Sequence, residues 1–187
     1  GLFVLAGAVL PLLVTFRLPI RPTPNVESIY ETIEAVAQEN GQVLISFDYG
    51  PSLVAELRPM SLALLRHCFR RGVKVVGVTM IAEGVGMAQE AFGTAAKEYS
   101  REYGRDYAFM GYKAGGGSFI LNMGQDFQAT FPKDSRGNDT GSMAVTKDIR
   151  SLRDFDYFVD ITGSSAAEVW IAYGQERYRF KMATACT

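Results

Sequence analysis

Thiol and metal chemistry have little material in this chain. One histidine, His67, and two cysteines, Cys68 and Cys186, stand among 187 residues. Two isolated cysteines make neither a disulfide framework nor a structural zinc site, and a single imidazole excludes a His-rich metal centre. A basic excess is also missing. Nineteen Lys and Arg against twenty Asp and Glu leave a net charge of −1, so the electrostatic footprint of nucleic-acid binding is absent. Internal repeats and low-complexity tracts are lacking too. Apolar residues are plentiful at 48%, enough for a chain of this length to bury a sizeable core.

Charge is absent from one stretch in particular. "GLFVLAGAVLPLLVTF" runs to Arg17 without an ionisable side chain. A bilayer-spanning helix needs roughly 20 apolar residues, and the run, which starts at glycine without an initiator methionine, is read as having lost its front. Pro11 is compatible with a membrane helix. A cleaved signal peptide is the competing reading, but no small-x-small cleavage site follows closely. The expectation is a single-pass anchor in the lipid bilayer over residues 1–20, a spacer "RPTPN" over 21–25, and an α/β domain over 26–187. Arg17 and Arg21 favour a cytoplasmic domain by the positive-inside rule; an extracytoplasmic domain is the alternative.

Beyond the spacer, helical and strand-like patterns alternate. Asn25 can cap a helix to about Glu39, with Val26, Ile29, Ile33 and Val36 on one face. "VLISF" (43–47), "VKVVGVTM" (73–80), "YAFMGY" (107–112) and "YFVDIT" (157–162) are apolar runs suited to strands covered on both sides, and "KMATACT" (181–187) begins a fifth. Pro59 suits the first turn of a helix ending before Gly72. Further helices are expected from the loop at 81–86 towards Gly104, over 118–131, within 143–152, and over 164–180. The segment 132–142 is dense in turn formers. Strand and helix in alternation with short links imply parallel pairing through right-handed crossovers. The predicted fold is a doubly wound, mostly parallel sheet of about five strands, Rossmann-like, preceded by one transmembrane helix.

In such sheets ligands bind outside the carboxyl ends of the strands. Four loops fall there: "DYGPS" (48–52), "IAEGVG" (81–86), "YKAGGGS" (112–118) and "TGSS" (162–165). Asp48 ends the first strand, where a functional carboxylate or a turn cap is equally at home. The long link from Asp48 to Arg58 reads as a lid or partner-binding flap. Glu83 can serve as an acid or base if it faces the crevice. Lys113 with Gly115, Gly116, Gly117 and Ser118 can hold an anion through backbone amides, or form a mobile turn. The lysine precedes the glycines, so neither the P-loop nor the dinucleotide fingerprint is matched. Asp160, Thr162 and Ser164 have the spacing D-x-T-x-S. This resembles the D-x-S-x-S metal-ion-dependent adhesion motif of von Willebrand factor A domains, but that motif follows a first strand and needs ligands from later loops. Capping of the next helix by Ser164 or Ser165 is the simpler reading, and no metal is expected. His67 and Cys68 are adjacent on a helix, so they point about 100° apart and form no nucleophile–base pair.

"LRPMSLALLRHCFRRGVKVVGVT" together with "MGYKAGG" resembles uncharacterised membrane-anchored bacterial α/β proteins. The resemblance implies a tethered α/β module and transfers no catalytic residue. Without a paired nucleophile and base, the expected function is a membrane-tethered binding or assembly component of a membrane protein complex, with other membrane proteins as partners. The alternative is a small-molecule or nucleotide-binding enzyme, in the manner of a hydrolase, using the loops at the sheet edge; the sequence names no cofactor.

Overall fold

A computed structural model describes residues 1, 3, 4 and 21–187. The anchor expected over residues 1–20 lies outside this described part, apart from three residues. Among the described residues no helix is long and apolar enough to cross a membrane.

Five parallel strands form one sheet: β1 (Gln42–Asp48), β2 (Lys74–Thr79), β3 (Tyr107–Tyr112), β4 (Tyr157–Thr162) and β5 (Met182–Cys186), in the order β3-β2-β1-β4-β5. The chain winds outward from β1 to β3, then crosses to the other side of β1 for β4 and β5. The α/β expectation and the parallel pairing both hold.

Period-two alternation along each strand sorts side chains onto two faces. Val43, Ile45 and Phe47 of β1 face one core, with α1 (Pro24–Gln38), α2 (Val54–Arg71) and α3 (Gly84–Glu98) packed over it. Leu44, Val76 and Phe158 face the other, covered by α4 (Gly117–Gln125), α5 (Phe127–Thr130), and the helix that begins as α6 (Ala166–Trp170). Phe92 of α3 stacks on Tyr107 at 5.2 Å and meets Phe47 at 5.4 Å. It reaches the sheet because Gly77 of β2 carries no Cβ, which would sit 2.5 Å from the Phe92 ring.

Several boundaries depart from the sequence pattern. Thr23, not Asn25, caps α1: its hydroxyl accepts from the Val26 amide at 3.5 Å, with Pro24 in the first turn. Pro59 lies inside α2, because a 3-10 turn over Pro51–Leu53 feeds the helix early. The supposed flap after Asp48 is therefore mostly helix. Residues 118–131 split in two at Asp126, whose extended backbone ends α4 and whose carboxylate caps α5 through the Ala129 amide at 2.9 Å. Within 143–152 no helix forms; a 3-10 turn, Leu152–Asp154, follows instead. The last helix widens into a π-helical stretch, Ile171–Gln175, before closing over Glu176–Tyr178.

Candidate functional site

The strand order reverses between β1 and β4, so the crevice expected for a doubly wound sheet lies beyond their carboxyl ends. The four nominated loops do gather at that edge, in pairs. Gly50 approaches Glu83, with 3.5 Å between the position of its missing Cβ and the Glu83 Cβ. Gly163 lies under Leu53. Gly117 lies flat against the Tyr173 ring, where a Cβ would come within 2.8 Å, and Gly116 borders Val169. The glycine-rich loop thus touches the helix that follows "TGSS". Gly115 and Gly116 have φ of +123° and +50°, a region that favours glycine.

Not every candidate faces the crevice. Lys113 is exposed, and its ammonium lies 5.7 Å from the Phe131 ring centroid, on the α4–α5 side. With Ser118, Asn122, Gln125, Asp126 and Thr130 it lines a polar cavity of about 480 Å³. Glu83, Ser118, Ser164 and Ser165 are exposed on the rim. Thr162 is buried: its hydroxyl lies 3.1 Å from the Asp48 carbonyl and 2.9 Å from the Ser164 hydroxyl, and it accepts from the Ser164 amide at 3.1 Å. Ser164 in turn accepts from the Ala166 amide at 3.3 Å, so it caps the helix start. Ser165 makes no capping bond.

Asp48 does not reach solvent. It is fully buried, and its Oδ1 accepts from the Met80 amide at 2.6 Å. Its Oδ2 accepts from the Ser46 hydroxyl at 2.6 Å and from the Trp170 indole N–H at 3.1 Å. These donors fix the C-terminal end of β1 to β2 and to α6. A carboxylate so enclosed holds the loops together instead of meeting substrate.

Asp160 faces the core. It pairs with Ser46 across the β1–β4 ladder, is wholly buried, and neither of its oxygens finds a hydrogen-bond donor. Burial, followed by the neighbouring Asp48 charge and a hydrogen bond to it, pushes the Asp160 carboxyl up to about 9. At neutral pH it is an acid, not an anion, and its hydroxyl can donate to Asp48. The D-x-T-x-S spacing therefore presents no open set of oxygen ligands: Asp160 points into the core while Thr162 and Ser164 bind each other. Among the described residues no group of three or more His, Cys, Asp or Glu is placed to hold a metal ion. Parity with Leu44 and Phe158 placed Asp160 on a covered face, and that was the signal available in sequence.

His67 and Cys68 separate as their helical positions require. Burial pushes the Cys68 thiol up to about 12, which leaves it inert as a nucleophile. His67 lies on the far side of the molecule from Lys113, with Nε2 2.8 Å from Glu34 Oε1 and its ring stacked on Tyr30 at 4.4 Å. It borders an apolar groove of about 640 Å³ between α1, α2 and β5, floored by Ile33, Leu64, Val159 and Ala185. Sequence reasoning did not find this groove: it placed Val26 on the apolar face of the first helix and did not ask what covers that face, and Val26 and Met60 both stand open. They are 55% and 38% exposed.

Comparison with family models, with curated proteins and with solved structures returned no match.

Proposed function

We propose that this chain is a membrane-tethered, Rossmann-like binding or assembly component of a membrane protein complex. The apolar groove beside α1 carries the reading. An open apolar surface of this size, rimmed by polar residues, is the usual mark of an interaction site. It starts at Asn25 and Val26, a few residues after the uncharged run ends at Arg17. A partner held at the same bilayer would meet it first. Extraction of membranes with mild detergent tests this: the chain should co-purify with other membrane proteins. A chain released as a free monomer by a mild salt wash sinks the proposal.

The polar cavity at Lys113 favours a second reading, in which the glycine-rich loop binds a small anionic ligand. Melting in the presence of nucleotides, sugar phosphates and divalent cations checks it. A rise in Tm that is lost in Lys113→Ala supports the reading; no rise with any of them removes it.

A further inference from the structure

Two contacts close the crevice at the β1–β4 switch point. Leu53 covers Gly163 on one side, and on the other the Tyr173 ring lies against Gly117 at the start of α4. Tyr173 stands three residues after Trp170, on the helix that widens into the π-helical stretch Ile171–Gln175. Trp170 is wholly buried, packed on Phe158 at 4.2 Å and Phe119 at 6.3 Å between ring centroids. Its indole N–H donates to Asp48 Oδ2 at 3.1 Å, and the Met80 amide donates to the other oxygen of the same carboxylate. One buried side chain thus ties β1 to the end of β2 and to α6, beneath the closed crevice.

Asp160 decides whether that tie can stay enclosed. In the ladder it lies between Ser46 of β1 and Thr184 of β5. Among the described residues no cation offsets the pair. α4 has no ionisable residue, α6 has only Glu168, which is exposed, and the Asp48 carboxylate is the one charge acting on Asp160. While Asp160 holds its proton, the pair carries a single charge. Without it, two carboxylates share an enclosure whose donors, Ser46, Met80 and Trp170, are all committed to Asp48. Two such charges need water, and Asp48, at the carboxyl end of β1, leads to the crevice. We infer that Asp48 and Asp160 form a proton-operated latch on this crevice: protonated Asp160 keeps α6 seated on the sheet, and passage of its proton to solvent admits water, lifts Trp170 and draws Tyr173 from Gly117. The latch depends on neither function proposed above. It makes opening and proton release one event, so a ligand that enters the crevice expels about one proton.

The test follows the full chain from pH 5 to 9. Hydrated Asp160 in the open form returns towards an ordinary carboxylate, so the closed form holds one proton more. The opening constant therefore rises about tenfold per pH unit across that window. Trp170 is the single tryptophan, and its indole N–H reports the latch directly. Protection of that N–H against hydrogen exchange, corrected for the intrinsic rate, should fall about tenfold per pH unit, together with the amides of Ile171–Gln175. Both should exchange well ahead of the Ile45 amide in β1, which waits for global unfolding. Acrylamide quenching of Trp170 should rise towards pH 9 while the far-UV circular dichroism stays constant. Asp160→Asn keeps the shape and a donor for Asp48, and should leave the indole protected to the same degree at every pH. An indole that exchanges no faster than the Ile45 amide, a protection that does not change with pH, or an Asp160→Asn chain with the wild-type response overturns the proposal.

Discussion

The β3 and β5 margins of one sheet show how differently a buried carboxyl can be used. At the β3 margin Asp134 is nearly buried and fully served. Its Oδ1 accepts from the Arg136 and Asn138 amides at 2.8 Å each, and its Oδ2 from Tyr103 Oη at 2.8 Å and Asn138 Nδ2 at 3.0 Å. The loop so organised places the Ser135 amide on β3. On the β5 side Asp160 is buried with no donor at all and survives by keeping its proton. One side of the sheet is sealed around a charge, whereas the other suppresses a charge. Burial works against the charge of both carboxyls; at Asp134 four donated hydrogen bonds outweigh it, and at Asp160 no donor does.

The largest expected effect breaks this comparison through pH. The Asp160 carboxyl is raised in the folded chain, to about 9 against an ordinary value near 3.8. Its contribution to stability is fully present below the unfolded value and is lost progressively as pH rises towards 9. Folding near neutrality should therefore take up about one proton. The slope is on the order of 1.4 kcal/mol lost per pH unit across that window. Asp160→Asn keeps the shape and a donor for Asp48, so it should flatten the slope and stabilise the chain at pH 8 by on the order of a few kcal/mol. Urea titrations from pH 5 to 9 check this. A wild-type curve already flat over that range means Asp160 is charged in the fold, and the contrast with Asp134 collapses.

Asp134 has the opposite sign. Burial works against its charge, but the bonds from Asn138, Tyr103 and the backbone outweigh it and hold its carboxyl below the ordinary range. Its stabilisation is present above the unfolded value near 4 and is lost as pH falls through the folded one. Asp134→Ala strands four donors and should cost roughly 2–3 kcal/mol at pH 7. Hydrogen exchange should then rise at the Phe109 and Ser135 amides and not in β5. A uniform rise across the sheet would mean that the loop does not seal the β3 edge.

The strands were legible because their periodicity is a core property. β3 and β4 fall on "YAFMGY" and "YFVDIT" without a shift, since burial on both faces leaves an apolar run with β-branched or aromatic members. Gathering of the glycine loops at one edge follows from parallel pairing and was likewise readable. Asp160 was not. Its role depends on Asp48 lying in the adjacent strand and on Trp170 and Met80 having taken up Asp48's oxygens, partners as many as 122 residues away in sequence. The break at Asp126 was hidden for a local reason: an Asp that caps one helix while ending another looks like a mid-helix residue until its backbone is seen. The groove was missed because apolar periodicity on α1 and α2 shows which face is sticky, not whether anything in the same chain covers it.

The smallest effect sharpens the comparison at Tyr103. Its hydroxyl accepts from the Phe109 amide at 3.3 Å and donates to Asp134, while the Arg136 guanidinium lies 3.5 Å over its ring. Tyr103→Phe keeps the ring and the stacking and removes only the oxygen. The loss should be about 1 kcal/mol, visible as a lower urea midpoint with an unchanged m-value. The Asp134 carboxylate retains three of its four donors, so the acid sensitivity should weaken without vanishing. If instead Tyr103→Phe cost as much as Asp134→Ala, the hydroxyl itself would be the seal of the β3 edge, and the carboxylate only its anchor.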